Sequence, residues 1–102
     1  MLTDGDIRRI AERIATAYLP VAVGTFGSYA IGSATPRSDL DLFVIRRPGG
    51  APPADGRAVH RLLFDVIHPV DVQVFHAAEF EESVYDYQSF NWVIARQARL
   101  YH

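Results

Sequence analysis

Three aspartates carry the chemistry that this sequence suggests. Asp39 and Asp41 stand two apart at the opening of an apolar run, Leu40-Asp41-Leu42-Phe43-Val44-Ile45. On a strand, both carboxylates project from one face while Leu40, Leu42 and Val44 turn to the other. Like charges on one face repel, and desolvating either is costly. A cation relieves that cost. Two carboxylates at this spacing can share Mg²⁺, which takes oxygen ligands and keeps several of its waters. Asp71 lies in a second apolar run, Val70 to Phe75, where Val70, Val72 and Val74 alternate with Asp71, Gln73 and Phe75. If the two strands are neighbours, Asp71 reaches the same site. Three carboxylates around one or two Mg²⁺ ions suit phosphoryl or nucleotidyl transfer. In that arrangement Asp39 and Asp41 hold the metals that grip a triphosphate. Asp71 binds the second metal and helps to deprotonate the attacking hydroxyl.

Gly27 and Ser28 add a phosphate site. Glycine lets the backbone approach a phosphate closely, and the Ser28 hydroxyl and nearby N–H groups can donate to its oxygens. Residues 28–31 can open a helix whose N-terminus favours an anion. Neither fragment is specific by itself. Asp4 and Asp6 form another such acidic pair, read here as the start of a helix. The weight comes from the combination of Gly27-Ser28, ten intervening residues, Asp39-Leu40-Asp41, and a third aspartate on a later strand.

The elements that must position these residues follow from periodicity. Residues 3–18 read as an amphipathic helix capped by Thr3, with Asp6 completing the box and Ile7, Ile10, Ala11, Ile14 and Ala15 on one face; Pro20 stops it. Val21 to Val23 reads as a short buried strand that Gly24 breaks. A glycine- and serine-rich loop with one helical turn follows, then the strand from Leu40 to Ile45. Arg46 to Gly56 reads as an exposed loop, and Arg57 to Ile67 as a second helix, with Val59, Leu62, Leu63, Val66 and Ile67 as its stripe. The alternating strand Val70 to Phe75 comes next. A short helix spans Glu79 to Tyr85, and a last helix capped by Ser89 runs to about Ala98, with Leu100 and Tyr101 as a tail. The expected class is α+β, close to α/β: a small mixed sheet of three to four strands flanked by helices.

Composition narrows the function. A chain of 102 residues is expected to form one domain, residues 1–102, with a small core filled from its 49% apolar content. No cysteine is present, which excludes disulfide scaffolds, cysteine-based zinc sites and cysteine nucleophiles. All ten basic residues are Arg, and the net charge of -2 shows no basic excess for nucleic acid or a membrane surface. No apolar run reaches a membrane span, and the acidic start carries no secretory signal, so a cytoplasmic protein is expected. His60, His68, His76 and His102 lack paired ligand spacing and read as surface or loop histidines. Tyr85, Tyr87, Phe90 and Trp92 read as core packing, with a partner surface as the alternative. Arg46 and Arg47 read as solvated loop residues.

Gly27-Ser28 with Asp39-Leu40-Asp41 ten residues on, inside Ser38-Asp39-Leu40-Asp41-Leu42, resembles the signature of the minimal nucleotidyltransferases of the DNA polymerase beta-like superfamily. Val70-Asp71-Val72 resembles their third-carboxylate strand, and Ser89 to Tyr101 their C-terminal end, so the likeness covers nearly the whole chain. It implies the nucleotidyltransferase fold and Mg²⁺-dependent transfer of a nucleotide from ATP. It further implies a prokaryotic antitoxin that adenylylates a tyrosine of a HEPN-domain RNase toxin. Two alternatives stand beside that role: a non-catalytic antitoxin that neutralises the toxin by binding, and transfer to a small molecule such as an aminoglycoside. One residue departs from the pattern. The family often reads Gly-Ser-x-Ala-Arg-Gly, and Ile31 stands here in the place of that arginine, with Arg37 the nearest cation downstream.

Overall fold

Thr3 begins the first helix as its residue type suggests. Its Oγ1 accepts from the Asp6 N–H at 3.1 Å, and the Asp6 carboxylate accepts from the Thr3 N–H at 2.9 Å. In this computed structural model, which describes residues 1–49, 55–83 and 90–102 (for 83 and 90–93 the backbone alone), that box opens α1, Asp4–Tyr18. Ile7, Ile10, Ala11 and Ile14 are its buried stripe. Leu19 closes it in the left-handed conformation, φ 49°, and Pro20 follows.

Among the described residues four strands make one sheet in the order β3-β2-β1-β4: β1 Ala22–Phe26, β2 Leu40–Arg46, β3 Val70–His76 and β4 Arg99–Leu100. β1 runs antiparallel to β2 and to β4, and β2 runs parallel to β3. The class is therefore α+β with a mixed sheet, as expected. Two strand boundaries differ from the reading of the sequence. Gly24 does not end β1; it lies within it, because the Phe43 ring covers the position where its side chain would stand. The segment Arg99–Leu100 is not a free tail but pairs with Gly24 and Thr25.

Alternation gives the sheet two different faces. Val23, Leu40, Leu42 and Val44 are buried against α1 and against α3, Gly56–Leu62, through Val59 and Leu63. On the other face Phe43, Ile45, Phe80 and Ile94 line an apolar cavity of about 270 Å³. This places α4, Ala77–Ser83, and α5, Phe90–Gln97, over that face. The helix α2, Ser28–Ile31, is a single turn between β1 and β2.

α3 is shorter than its stripe of apolar residues implies, and it ends before Val66 and Ile67. In a continuing helix the Leu62 carbonyl would accept from Val66. It accepts instead from Arg13 of α1 at 2.7 Å, and the Val66 N–H turns back to Leu63 at 3.0 Å. Arg13 also pairs with Asp65 at 2.8 Å. Ile67, counted by periodicity as core, is fully exposed. Residues 50–54 of the expected loop, the cap expected at Ser89 and the aromatics Tyr85 and Tyr87 lie outside the described residues, as do the Phe90 and Trp92 side chains. Among the described residues no helix is long and apolar enough to cross a membrane.

Candidate functional site

The end of the sheet where β1 finishes and β2 and β3 begin collects the residues singled out above. In the ladders, Asp41 lies between Phe26 of β1 and Asp71 of β3. The parallel register thus sets Asp41 and Asp71 side by side, as the alternation along the two strands requires. Asp39 stands one residue before β2, outside the ladder, and is exposed; Asp71 is exposed and Asp41 half-buried.

Gly27 sits against this group. It is the N-cap of α2, with φ 70° and ψ −152°, a region open essentially to glycine. A Cβ built on it would collide with the Asp41 carboxylate at Oδ2. The chain therefore passes Asp41 closer than any other residue type permits. Ser28 follows as the first residue of α2, half-buried, and the Ala30 and Ile31 N–H groups close the turn on the Gly27 carbonyl at 3.0 and 3.2 Å.

The electrostatics are those of crowded like charge. Partial burial raises the Asp41 carboxyl above its ordinary 3.8, and the Asp71 and Asp39 charges push it further the same way. Among the described residues no three His, Cys, Asp or Glu side chains converge into a closed ligand set. The expected trio is thus brought to one end of the sheet rather than clamped around a point, which is how mutually repelling carboxylates settle. The residues nonetheless fit a hard divalent cation. The donors are carboxylate oxygens, a positive charge would relieve the repulsion acting on Asp41, and Mg²⁺ needs only one or two protein carboxylates beside its waters.

Arg47 donates from Nε to the Leu19 carbonyl at 3.2 Å, closing the end of α1. Arg37 is exposed, in the turn before Asp39. Ile31 is 59% exposed at the end of α2. One histidine read as a bland loop residue has a defined place: His68 is half-buried, with Nε2 2.8 Å from the Ser38 carbonyl. The only hint in the sequence was its position just ahead of a strand, followed by proline.

A family model described as "Nucleotidyltransferase domain" matches residues 7–99. No curated protein matches the chain significantly. Among solved structures, the crystal structure of a proposed nucleotidyltransferase from Sulfolobus solfataricus aligns with a TM-score of 0.55 at 20% identity, covering 92% of this chain and 74% of that one. At that identity the likeness is one of fold.

Proposed function

Because the chain belongs to the nucleotidyltransferase domain family, we propose that it transfers AMP from ATP to a hydroxyl on a protein, a tyrosine of a HEPN-type RNase toxin, and so acts as an antitoxin. The observation that carries nucleotidyl transfer is the register that sets Asp41 beside Asp71 with Asp39 adjoining and Gly27 pressed against the Asp41 carboxylate. The protein acceptor rests on the resemblance of Gly27-Ser28 and Asp39-Leu40-Asp41 to the minimal nucleotidyltransferases. It is supported by the exposure of Asp39 and Asp71, which leaves the site open to an acceptor carried on a large partner.

In this reading Asp39, Asp41 and Asp71 would hold one or two Mg²⁺ ions. Bound there, the metal supplies positive charge to the triphosphate. Gly27 brings the backbone against the Asp41 carboxylate at the start of α2, and Ser28 offers phosphate oxygens its hydroxyl. Asp71, the most accessible carboxylate on the strands, takes the proton of the acceptor hydroxyl. The hydroxyl oxygen bonds to the α-phosphorus and the bond to pyrophosphate breaks. A second reading, neutralisation of the toxin by binding alone, is favoured by Ile31, which puts an exposed apolar side chain where the family often has a cation.

The deciding experiment incubates the purified protein with its toxin, ATP and Mg²⁺ and weighs the toxin. A gain in steps of AMP on a tyrosine, lost in Asp39→Asn, Asp41→Asn and Asp71→Asn variants that still bind, is the expected result. Neutralisation by those variants with no mass change establishes the binding-only reading. Failure to bind any such toxin, with AMP transferred to an aminoglycoside, establishes the small-molecule one.

A further inference from the structure

The parallel ladder between β2 and β3 is missing a rung beside Asp39. Parallel strands bond at evenly spaced, alternating positions. Leu40 lies opposite Val70, and its N–H donates to the Pro69 carbonyl at 3.0 Å. The next rung outward would run from the N–H of residue 69 to the Ser38 carbonyl. Residue 69 is proline and has no N–H to give. The Ser38 carbonyl is bonded all the same, by His68 Nε2 at 2.8 Å. A carbonyl only accepts, so this nitrogen carries the proton.

Both peptide units that flank Asp39 are therefore fastened to one dipeptide. The imidazole of His68 holds the unit before it, and the Pro69 carbonyl holds the unit after it. Asp41 is placed by ladders on both sides, whereas Asp39 lies beyond the strand and depends on this fastening. The Tyr29 hydroxyl stands 3.5 Å from the same Nε2, with the two rings edge to face at 6.0 Å, and accepts from the Leu2 N–H at 3.1 Å. One imidazole thus meets α2 beside Ser28, the turn that carries Asp39, and the entry to the strand that carries Asp71.

We propose that His68 is a positioning residue: its Nε2–H stands in for the ladder bond that Pro69 cannot make, and so sets Asp39 for a divalent cation. The inference rests on the reading of Asp39 and Asp41 as metal ligands given above.

The test titrates Mn²⁺ into the 102-residue chain without nucleotide and follows the free-ion electron paramagnetic resonance signal. Wild type binds and Asp41→Asn does not. His68→Ala weakens binding on the order of tenfold, as loss of a partner behind the ligands generally does. His68→Gln keeps a donor within reach and recovers most of the affinity. Adding Pro69→Ala to His68→Ala returns a backbone N–H to the missing rung and recovers it by a different route, a result that a generally damaged fold does not give. Should His68→Ala fail to fold, His68→Gln is compared with His68→Met, similar in length but without the donor. Unchanged Mn²⁺ affinity in the donor-less variant, or an equal loss with Gln, overturns the proposal while leaving the metal site standing. Absence of Mn²⁺ binding in wild type overturns the metal reading and this inference with it.

Discussion

The carboxylate of Asp41 fills the space that a side chain on Gly27 would need. The positive φ of Gly27 and the half-burial of Asp41 are consequently two sides of one arrangement. Gly27→Ala must either move the carboxylate or open the turn into α2. It is expected to cost about 1–3 kcal/mol from the backbone conformation, read as a lower denaturant midpoint, together with weaker Mn²⁺ binding. Wild-type values of both would show that the contact does not place Asp41.

Asp41 makes stability depend on pH in the direction opposite to most carboxylates. Its folded pKa is raised, first by burial and then by Asp71 and Asp39. The protonated form is thus the one the fold favours. Its contribution is fully present below the unfolded value of 3.8 and is lost as pH rises through the raised folded value. At neutral pH without metal, Asp41→Asn should melt above wild type. With saturating Mg²⁺ the order should reverse, because only wild type gains from the ion. Paired melting curves with and without Mg²⁺ check both halves.

A second acidic group behaves in the usual sense. The Tyr101 hydroxyl donates to Asp4 at 2.7 Å, and Arg8 and Arg99 add their charges, so the Asp4 carboxyl is held below 3.8. Stability from Asp4 is present above 3.8 and lost as pH falls through the lowered value. Tyr101 is shifted up from 10.0, first by burial and then by Asp4, so its contribution is present below 10.0 and lost as pH rises through the raised value. Tyr101→Phe should remove the alkaline dependence and weaken the acid one, since Arg8 and Arg99 still act on Asp4. Melting temperatures at acid, neutral and alkaline pH would expose a wrong assignment if the variant kept the wild-type profile.

Thr25 is fully buried on the core face of β1, and its hydroxyl has no hydrogen-bond partner among the described residues. Valine has nearly the same shape and nothing to satisfy. Thr25→Val is expected to stabilise the protein by about 1 kcal/mol or more. Chemical denaturation measures it directly, and a destabilised variant would mean that the hydroxyl has a partner in solution.

Much of this architecture was legible in the residues. Thr3 and Asp6 announced the capping box, and the alternation of Val70, Val72 and Val74 announced β3 and put Asp71 on its other face. The placement of Asp41 beside Asp71 needed only the assumption that β2 and β3 are neighbours. What periodicity could not carry was decided by tertiary partners. Arg13 captured the Leu62 carbonyl and ended α3 early, although the apolar stripe ran on. Gly24 read as a break and proved to be a strand residue, because Phe43 from the next strand lies over it. Arg99 and Leu100 carried no strand pattern of their own and were recruited by β1. His68 was invisible for the same reason: its role comes from a proline beside it and a carbonyl thirty residues earlier.

Among the described residues β3 stands at the margin of the sheet, paired to β2 on one side only. Of the three aspartates, Asp71 is thus the one carried by an edge strand. Fraying of that margin would scatter the acidic group while the antiparallel pair of β1 and β2 stayed intact. Amide exchange along Val70–His76 would show whether this edge opens without global unfolding.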